Sequence, residues 1–328
     1  MRRRDFIKAL TGAGTAVWAP ALRAQPSGLP LIGFLSSRSP GESASVVAAF
    51  RQGLREAGFV EGQNLAIAFR WAEGQYDKLP ALAFELVGLP VALIYAAGGP
   101  PSAFAAKGAT STIPVVFSAA ADPVEIGLVP SLSQPGGNVT GMGIFNASLG
   151  TKRLELIKEL LPNASVVGYL LNPANRMSET EIKSVLAAAG SLKIDVRILN
   201  AKSESELDQI FESLRTQGIA ALVVSGEPFF DSQRERIVRL AAKSAIPTIY
   251  AWREYVLAGG LISYGTDLPE SYRQAAIYAG RILKGEKPAN LPVVQPTKFY
   301  MAVNAKVAKS LGIDVPPRLL GLADEVVE

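Results

Sequence analysis

The chain has 328 residues, 48% of them apolar, and contains neither cysteine nor histidine. Lacking both, it has no disulfides, no thiolate chemistry, no Ser-His-Asp or Cys-His catalysis and none of the usual zinc sites. The formal charge of +4, from 33 Lys and Arg against 29 Asp and Glu, is local rather than spread along the chain.

That excess sits at the start, where Arg2, Arg3, Arg4, Lys8 and Arg23 face one acid, Asp5, and account for all of it. A basic start, a modestly apolar stretch over residues 9–18 and small residues around Ala21 and Ala24 read as an export signal cleaved near Ala24. Arg3-Arg4-Asp5-Phe6-Ile7-Lys8 resembles the twin-arginine export pattern. Residues 1–24 are therefore set apart from the fold, and the chain beyond them is near neutral, so charge gives no reason to expect a nucleic-acid partner. No later run reaches the roughly 18 apolar residues of a membrane span, and there is no cysteine to carry a lipid. We expect a periplasmic protein and a monomer.

After the signal, strands and helices alternate. Residues 31–35 read as a strand, and 43–57 as a helix with Val46, Val47, Phe50 and Leu54 at helical spacing, closed by Gly58. Strands follow at 65–71 and 91–96, with a helix at 76–86 between them and another at 102–108. The stretch 113–145, IPVVFSAAADPVEIGLVPSLSQPGGNVTGMGIF, then carries a buried strand, a loop of small residues ending at Asp122-Pro123 that turns into a helix, a Pro- and Gly-rich stop, and a strand from 138 that leads into a new run of elements. Helices at 151–161, 178–189, 204–216 and 231–242 alternate with strands at 166–171, 195–199, 219–225 and 247–251. The charged faces of the last two helices read as solvated surface. Residues 261–267 return as a strand, 269–284 as a helix, 293–303 as an extended run and 306–311 as a short helix before a Pro316-Pro317 tail.

This grammar predicts an α/β fold: two doubly wound parallel-sheet lobes joined by three crossing strands, with a cleft between them. The lobes are expected over residues 28–141 plus 267–293 and over 142–266 plus 294–328. Ligands of such sheets meet the loops at the carboxyl ends of the strands. In the first lobe these are Ser36 and Ser37, Gly98 and Gly99, and Ser118 to Asp122. The serines and the Gly98-Gly99 backbone are expected to hold a carboxylate. In the second lobe they are Phe145, Asn146, Asn172, Glu227 and Trp252, with Tyr264 and Asp267 at the return crossing. Asp122, Glu227 and Asp267 are the acids that would neutralise an ammonium, and the aromatics Phe145, Trp252 and Tyr264 would hold an apolar body. Bland readings stand beside these: ordinary turns for the small residues, core for the aromatics, a helix N-cap for Asp122. No pair of basic residues sits at a strand end, which disfavours phosphate, sulfate or dicarboxylate ligands. Gly141-Met-Gly143 lacks the third glycine of a dinucleotide fingerprint, and no cofactor is expected.

Three segments together carry a resemblance: residues 113–141, the crossing LISYGTD at 261–267, and LPVVQPTKFYMAVNAKVAKSLGIDVPPRLLGLADEVVE at the end. They resemble the ABC-transporter substrate-binding proteins of the tryptophan/tyrosine-transport type, over nearly all of the chain after the signal. The resemblance implies a type I periplasmic binding fold that closes on a small amino-acid-like or aromatic carboxylate, performs no catalysis, and presents its ligand to an inner-membrane permease. Many relatives carry an anchoring cysteine that this chain lacks. Two other classes stay open: an exported hydrolase working through two cleft carboxylates such as Asp122 and Glu227, and a ligand-sensing partner of a membrane sensor kinase.

Overall fold

The computed structural model describes residues 28–143, 149–175, 178–296 and 298–328. The expected export signal lies outside them. The first sheet is built from β1 (Leu31–Ser36), β2 (Ala66–Trp71), β3 (Val91–Ala97), β4 (Val115–Ala119) and β5 (Val139–Gly143), in the order β2-β1-β3-β4-β5 and parallel throughout. Around it lie α1 (Ala44–Glu56), a 3₁₀ turn at Tyr76–Lys78, α2 (Leu79–Val87) and α3 (Pro100–Ala109). Parallel strands need crossovers that bury both faces, and β1, β3 and β4 are accordingly almost entirely buried.

The second half repeats the plan with α4 (Leu149–Leu160), β6 (Val166–Leu171), α5 (Ser178–Leu192), β7 (Asp195–Asn200), α6 (Glu204–Ser213), β8 (Ala221–Val224), α7 (Pro228–Ser232), α8 (Arg234–Ser244), β9 (Thr248–Tyr250), α9 (Arg253–Leu257) and β10 (Ile262–Thr266). The order β7-β6-β8-β9-β10 repeats that of the first sheet. The chain then returns to the first sheet as α10 (Leu268–Leu283), and Val294 bridges to β5 through Gly143 N–H to Val294 O at 2.9 Å and Val294 N–H to Gly141 O at 3.1 Å. It ends in the second sheet with β11 (Phe299–Asn304), α11 (Ala305–Ser310), α12 (Pro317–Leu322) and β12 (Glu325–Val327).

Several details depart from the sequence reading. β11 runs antiparallel to β10, because β10 leaves this sheet towards the first and β11 comes back from it. The tail after Pro316 is not a tail: Pro317 opens α12 and residues 325–327 add an edge strand beside β11. No helix follows Asp122-Pro123; a turn closes by Leu128 N–H to Pro123 O at 2.8 Å, with Gly127 at φ +72°. The helix expected over 231–242 is two, because α7 ends at Ser232 before α8 begins at Arg234.

The contact that ties the late helix to the first sheet is α1 against α10. It depends on close backbone approach: a Cβ added at Gly53 would lie 2.1 Å from Arg273 O and 2.8 Å from Ala276 Cβ. Phe50 on α1 stacks on Tyr95 at 4.4 Å, and Tyr95 meets Tyr272 of α10 edge-on at 5.6 Å, so the same packing reaches the strand ends. Gly53→Ala is expected to push the two helices apart and lower unfolding stability by about 2 kcal/mol in urea titration, whereas Ala at solvent-facing Gly190, which has no atom within 4 Å, should leave it unchanged or raise it.

Candidate functional site

Each sheet reverses its strand order between two neighbours, β1/β3 in the first and β6/β8 in the second. Crevices form at such points because the adjoining loops diverge. Residues 36–38 and 98–99 follow the first pair, Asn172 and residues 225–227 the second, and in this structure the two sets face each other. Contacts join them across the seam.

Arg38, 5% exposed, donates from a terminal nitrogen to Asp231 Oδ2 at 2.5 Å, and Asp231, 2% exposed, also accepts from the Tyr255 hydroxyl at 3.2 Å. Burial lifts the Asp231 carboxyl to about 6 against the pull of Arg38 and Arg234; at neutral pH it is ionised and the pair holds. Burial also works against the Arg38 charge, but Asp231, with Tyr272, Glu254 and Glu42, more than offsets it and the guanidinium pKa is raised. The second contact centres on Glu227, which caps α7. Its carboxylate accepts from the Tyr76 hydroxyl, from Asn172 Nδ2 at 2.7 Å and from the Phe229 N–H at 2.8 Å. Burial outweighs these three donors and pushes Glu227 up to about 7, while Tyr76, half-buried with its hydroxyl against that carboxylate, is held well above the usual phenol range and remains a donor.

Two cavities flank the Tyr76–Glu227 contact. The inner one, about 20 Å³, is lined by Arg38, Gly98, Ser118, Trp252, Leu268 and Tyr272, with Gly99, Gly226 and Pro228. The outer one, about 340 Å³, is lined by Tyr76, Leu79, the Pro100-Pro101 pair, Phe104 and Ala174 among others, and is mostly apolar. Gly99 belongs to the inner and Pro100 to the outer, so both open on the start of α3.

Of the residues expected at a ligand, the structure brings Ser36, Ser37, Gly98, Gly99, Ser118, Asn172, Glu227 and Trp252 to this seam. Several have internal partners. Ser36 Oγ accepts from the Arg38 N–H at 3.1 Å, and Ser37 Oγ donates to Gly98 O at 2.5 Å. The Gly98 N–H donates to the Tyr272 hydroxyl oxygen at 3.1 Å, the Gly99 N–H to Ser118 O at 3.1 Å, and Ser118 Oγ shares a hydrogen with Tyr95 at 2.8 Å. Gly98 takes φ +77°, and a Cβ there would lie 2.5 Å from Ser37 Oγ, so the turn requires glycine. Asp122, Tyr264 and Asp267 line neither cavity. Asp122 is half-buried and accepts from Val124 N–H at 2.8 Å within its turn; exposed Asp267 caps α10 through Glu270 N–H at 2.9 Å; Tyr264 lies 6.0 Å from Phe299, and its carbonyl accepts from Arg153 Nε at 2.8 Å. Phe145 and Asn146 lie outside the described residues. Among the described residues no group of His, Cys, Asp and Glu could hold a metal.

Sequence reasoning missed Arg38, Tyr76 and Asp231. Arg38 stands two residues past β1, within reach of the strand-end rule, but a single arginine is not the basic pair that marks an anion site in a sequence. Asp231 reads as part of a solvated helix face and is buried instead, because α7 breaks before α8 and turns that acid towards Arg38.

The raised Glu227 pKa has a definite consequence for stability. The native state binds this proton more tightly than the unfolded chain, so its contribution is fully present below the ordinary value of 4.5 and is lost as pH rises through about 7. Between pH 5 and 8 the ligand-free protein should lose on the order of 2 kcal/mol for this reason, and Glu227→Gln should flatten that slope in chemical denaturation.

Known proteins share this architecture. Residues 39–327 match the family described as ABC transporter substrate binding protein. A tyrosine-binding protein of Clostridioides difficile (strain R20291) is 30% identical over 262 residues, covering 80% of this chain and 75% of that one. A crystal structure of an ABC domain in complex with L-Trp from Streptococcus pneumonia superposes with TM-score 0.83 at 28% identity, covering 92% of this chain and all of that chain. The ligand-free, open structure of a substrate-binding protein with adhesive properties from Clostridium difficile, 27% identical over 91% of this chain and 99% of that chain, gives TM-score 0.64. The fold is that of type I periplasmic binding proteins, and the chain belongs to the ABC transporter substrate binding protein family.

Proposed function

We propose that this chain is the exported, periplasmic solute receptor of an ABC importer, which captures an aromatic amino acid by closing two lobes and hands it unchanged to an inner-membrane permease. The lobes comprise residues 28–141 plus 267–293 and 142–266 plus 294–328. The observation that carries this reading is the meeting of the two strand-order switch points across one seam, joined by Arg38–Asp231 and Tyr76–Glu227. Such contacts exist only when the lobes are together, so a ligand held by both lobes shifts the population towards this form. Two relatives at nearly equal identity support it: the L-Trp complex superposes better than the ligand-free, open structure, with TM-scores of 0.83 and 0.64.

The chemistry of the seam suits an amino acid. Glu227 sits between the cavities and is the acid placed to meet an ammonium, which would restore its ionised state. The outer cavity, with Leu79, Phe104 and two prolines, has the volume and apolar walls for an aromatic side chain. Asp122 caps a turn and lines neither cavity, so it does not form with Glu227 the carboxylate pair of a hydrolase.

The test is a thermal-unfolding screen of protein refolded to strip carried ligand, against L-tyrosine, L-tryptophan, L-phenylalanine, nucleosides and sugars. One amino acid at 100 times its dissociation constant should add about 2.7 kcal/mol and be recovered intact; a response confined to sugars or nucleosides, or conversion of the compound, would sink the reading. Glu227→Gln should weaken the amino acid roughly tenfold or more by calorimetry without lowering stability of the free protein at pH 8.

A further inference from the structure

We propose that Arg38 and Trp252 form the carboxylate subsite of the ligand, with Arg38 Nε–H and Trp252 Nε1–H as its two donors. This rests on the amino-acid reading above and goes beyond it by assigning the group that the sequence had placed on the serines and glycines.

The assignment follows from what is already engaged at the strand ends. The hydroxyl hydrogen of Ser37 and the N–H groups of Gly98 and Gly99 are all spent on partners within the protein. Ser36 Oγ is held by the Arg38 N–H. Arg38 Nε and Trp252 Nε1, by contrast, are buried with no protein acceptor within hydrogen-bonding distance. Both residues line the inner cavity, and at 5% and 3% exposure neither can turn its N–H to bulk solvent. Two orphan donors on residues that share the lining of one cavity call for an acceptor between them, since an unpaired buried donor costs about 1–3 kcal/mol.

Size and charge narrow the acceptor. A cavity of about 20 Å³ suits a small polar group and excludes a ring. A guanidinium offers separate edges, so Arg38 can keep Asp231 on its terminal nitrogen while Nε–H serves a second oxygen. The neighbouring acids, Asp231, Glu42 and Glu254, stand against Arg38 and Arg234, so a lone anion is held there more weakly than a zwitterion. A zwitterion brings its own cation, and Glu227, between Gly226 and Pro228 of the inner wall, is placed to meet it. Carboxylate, ammonium and ring would then run from the inner cavity through the Tyr76–Glu227 contact to the outer one.

The experiment pairs L-tyrosine and L-tryptophan with their carboxamides, titrated by calorimetry into the full-length protein and its Trp252→Phe variant, and follows the Trp252 indole N–H by ¹⁵N NMR. The chain has three tryptophans, so Trp252→Phe also assigns that resonance. In the unsubstituted protein the acid should bind at least tenfold more tightly than its amide. Trp252→Phe should weaken the acid roughly tenfold and spare the amide. The indole N–H should move downfield with the amino acid and, saturably, with formate but not with chloride at equal ionic strength. Equal loss for acid and amide would overturn the subsite and leave Trp252 as packing, as would an indole N–H that neither the amino acid nor formate moves, or that formate and chloride move alike. Saturation by formate when no amino acid binds would keep the subsite and remove the amino-acid reading. Amino-acid binding with an unmoved indole N–H would do the reverse.

Discussion

A guanidinium and two carboxylates lie almost wholly out of water where the two sheets' loops meet, and the rest of the molecule is arranged so that this is tolerable. Taking such charges from water costs several kcal/mol each unless they are paired and hydrogen-bonded. Arg38 has Asp231; Asp231 has Tyr255 as well; Glu227 has Tyr76, Asn172 and a backbone N–H. Two of these partnerships, Arg38–Asp231 and Tyr76–Glu227, reach across from one sheet's loops to the other's. The charges are therefore satisfied when the two halves are together, and they make that arrangement specific in a way that apolar contact would not.

Short elements supply the geometry. α7 has five residues, yet the acid that caps it and Asp231 four positions later both face the first sheet, because one helical turn returns a side chain to the same face. On the opposite side Gly98 takes a left-handed turn against Ser37, drawing β1 and β3 loops close enough for Arg38 to emerge between them. Behind these loops Tyr95 and Tyr272 connect the site to the α1–α10 contact, so the packing that holds the returning helix also sets the floor of the inner cavity. In the proposed reading the site discriminates with few groups, an acid, an arginine and an indole, and the acid and the arginine are each held by partners within the protein.

The periodic part of this organisation was legible along the chain. Alternating apolar strands and amphipathic helices announce two repeats of one α/β plan, and the strand-end rule brought Ser36, Ser37, Gly98, Gly99, Ser118, Asn172, Glu227 and Trp252 to the seam. It also nominated Asp122, Asp267 and Tyr264, whose side chains serve a turn, a helix cap and a ring contact. A carboxylate beside a strand end satisfies a nearby backbone N–H as readily as a ligand's ammonium, and sequence spacing does not separate the two.

Local pattern determined the class of fold, the repeat and the strand ends, because hydrophobic period and turn chemistry act over a few residues. Tertiary structure alone decided that Arg38 finds Asp231, 193 positions away, that Tyr76 finds Glu227, 151 away, and which N–H groups are left without acceptors. Those outcomes depend on how two sheets are turned towards each other, and burial, not identity, decides which arginine and indole nitrogens are cut off from water without a partner in the protein.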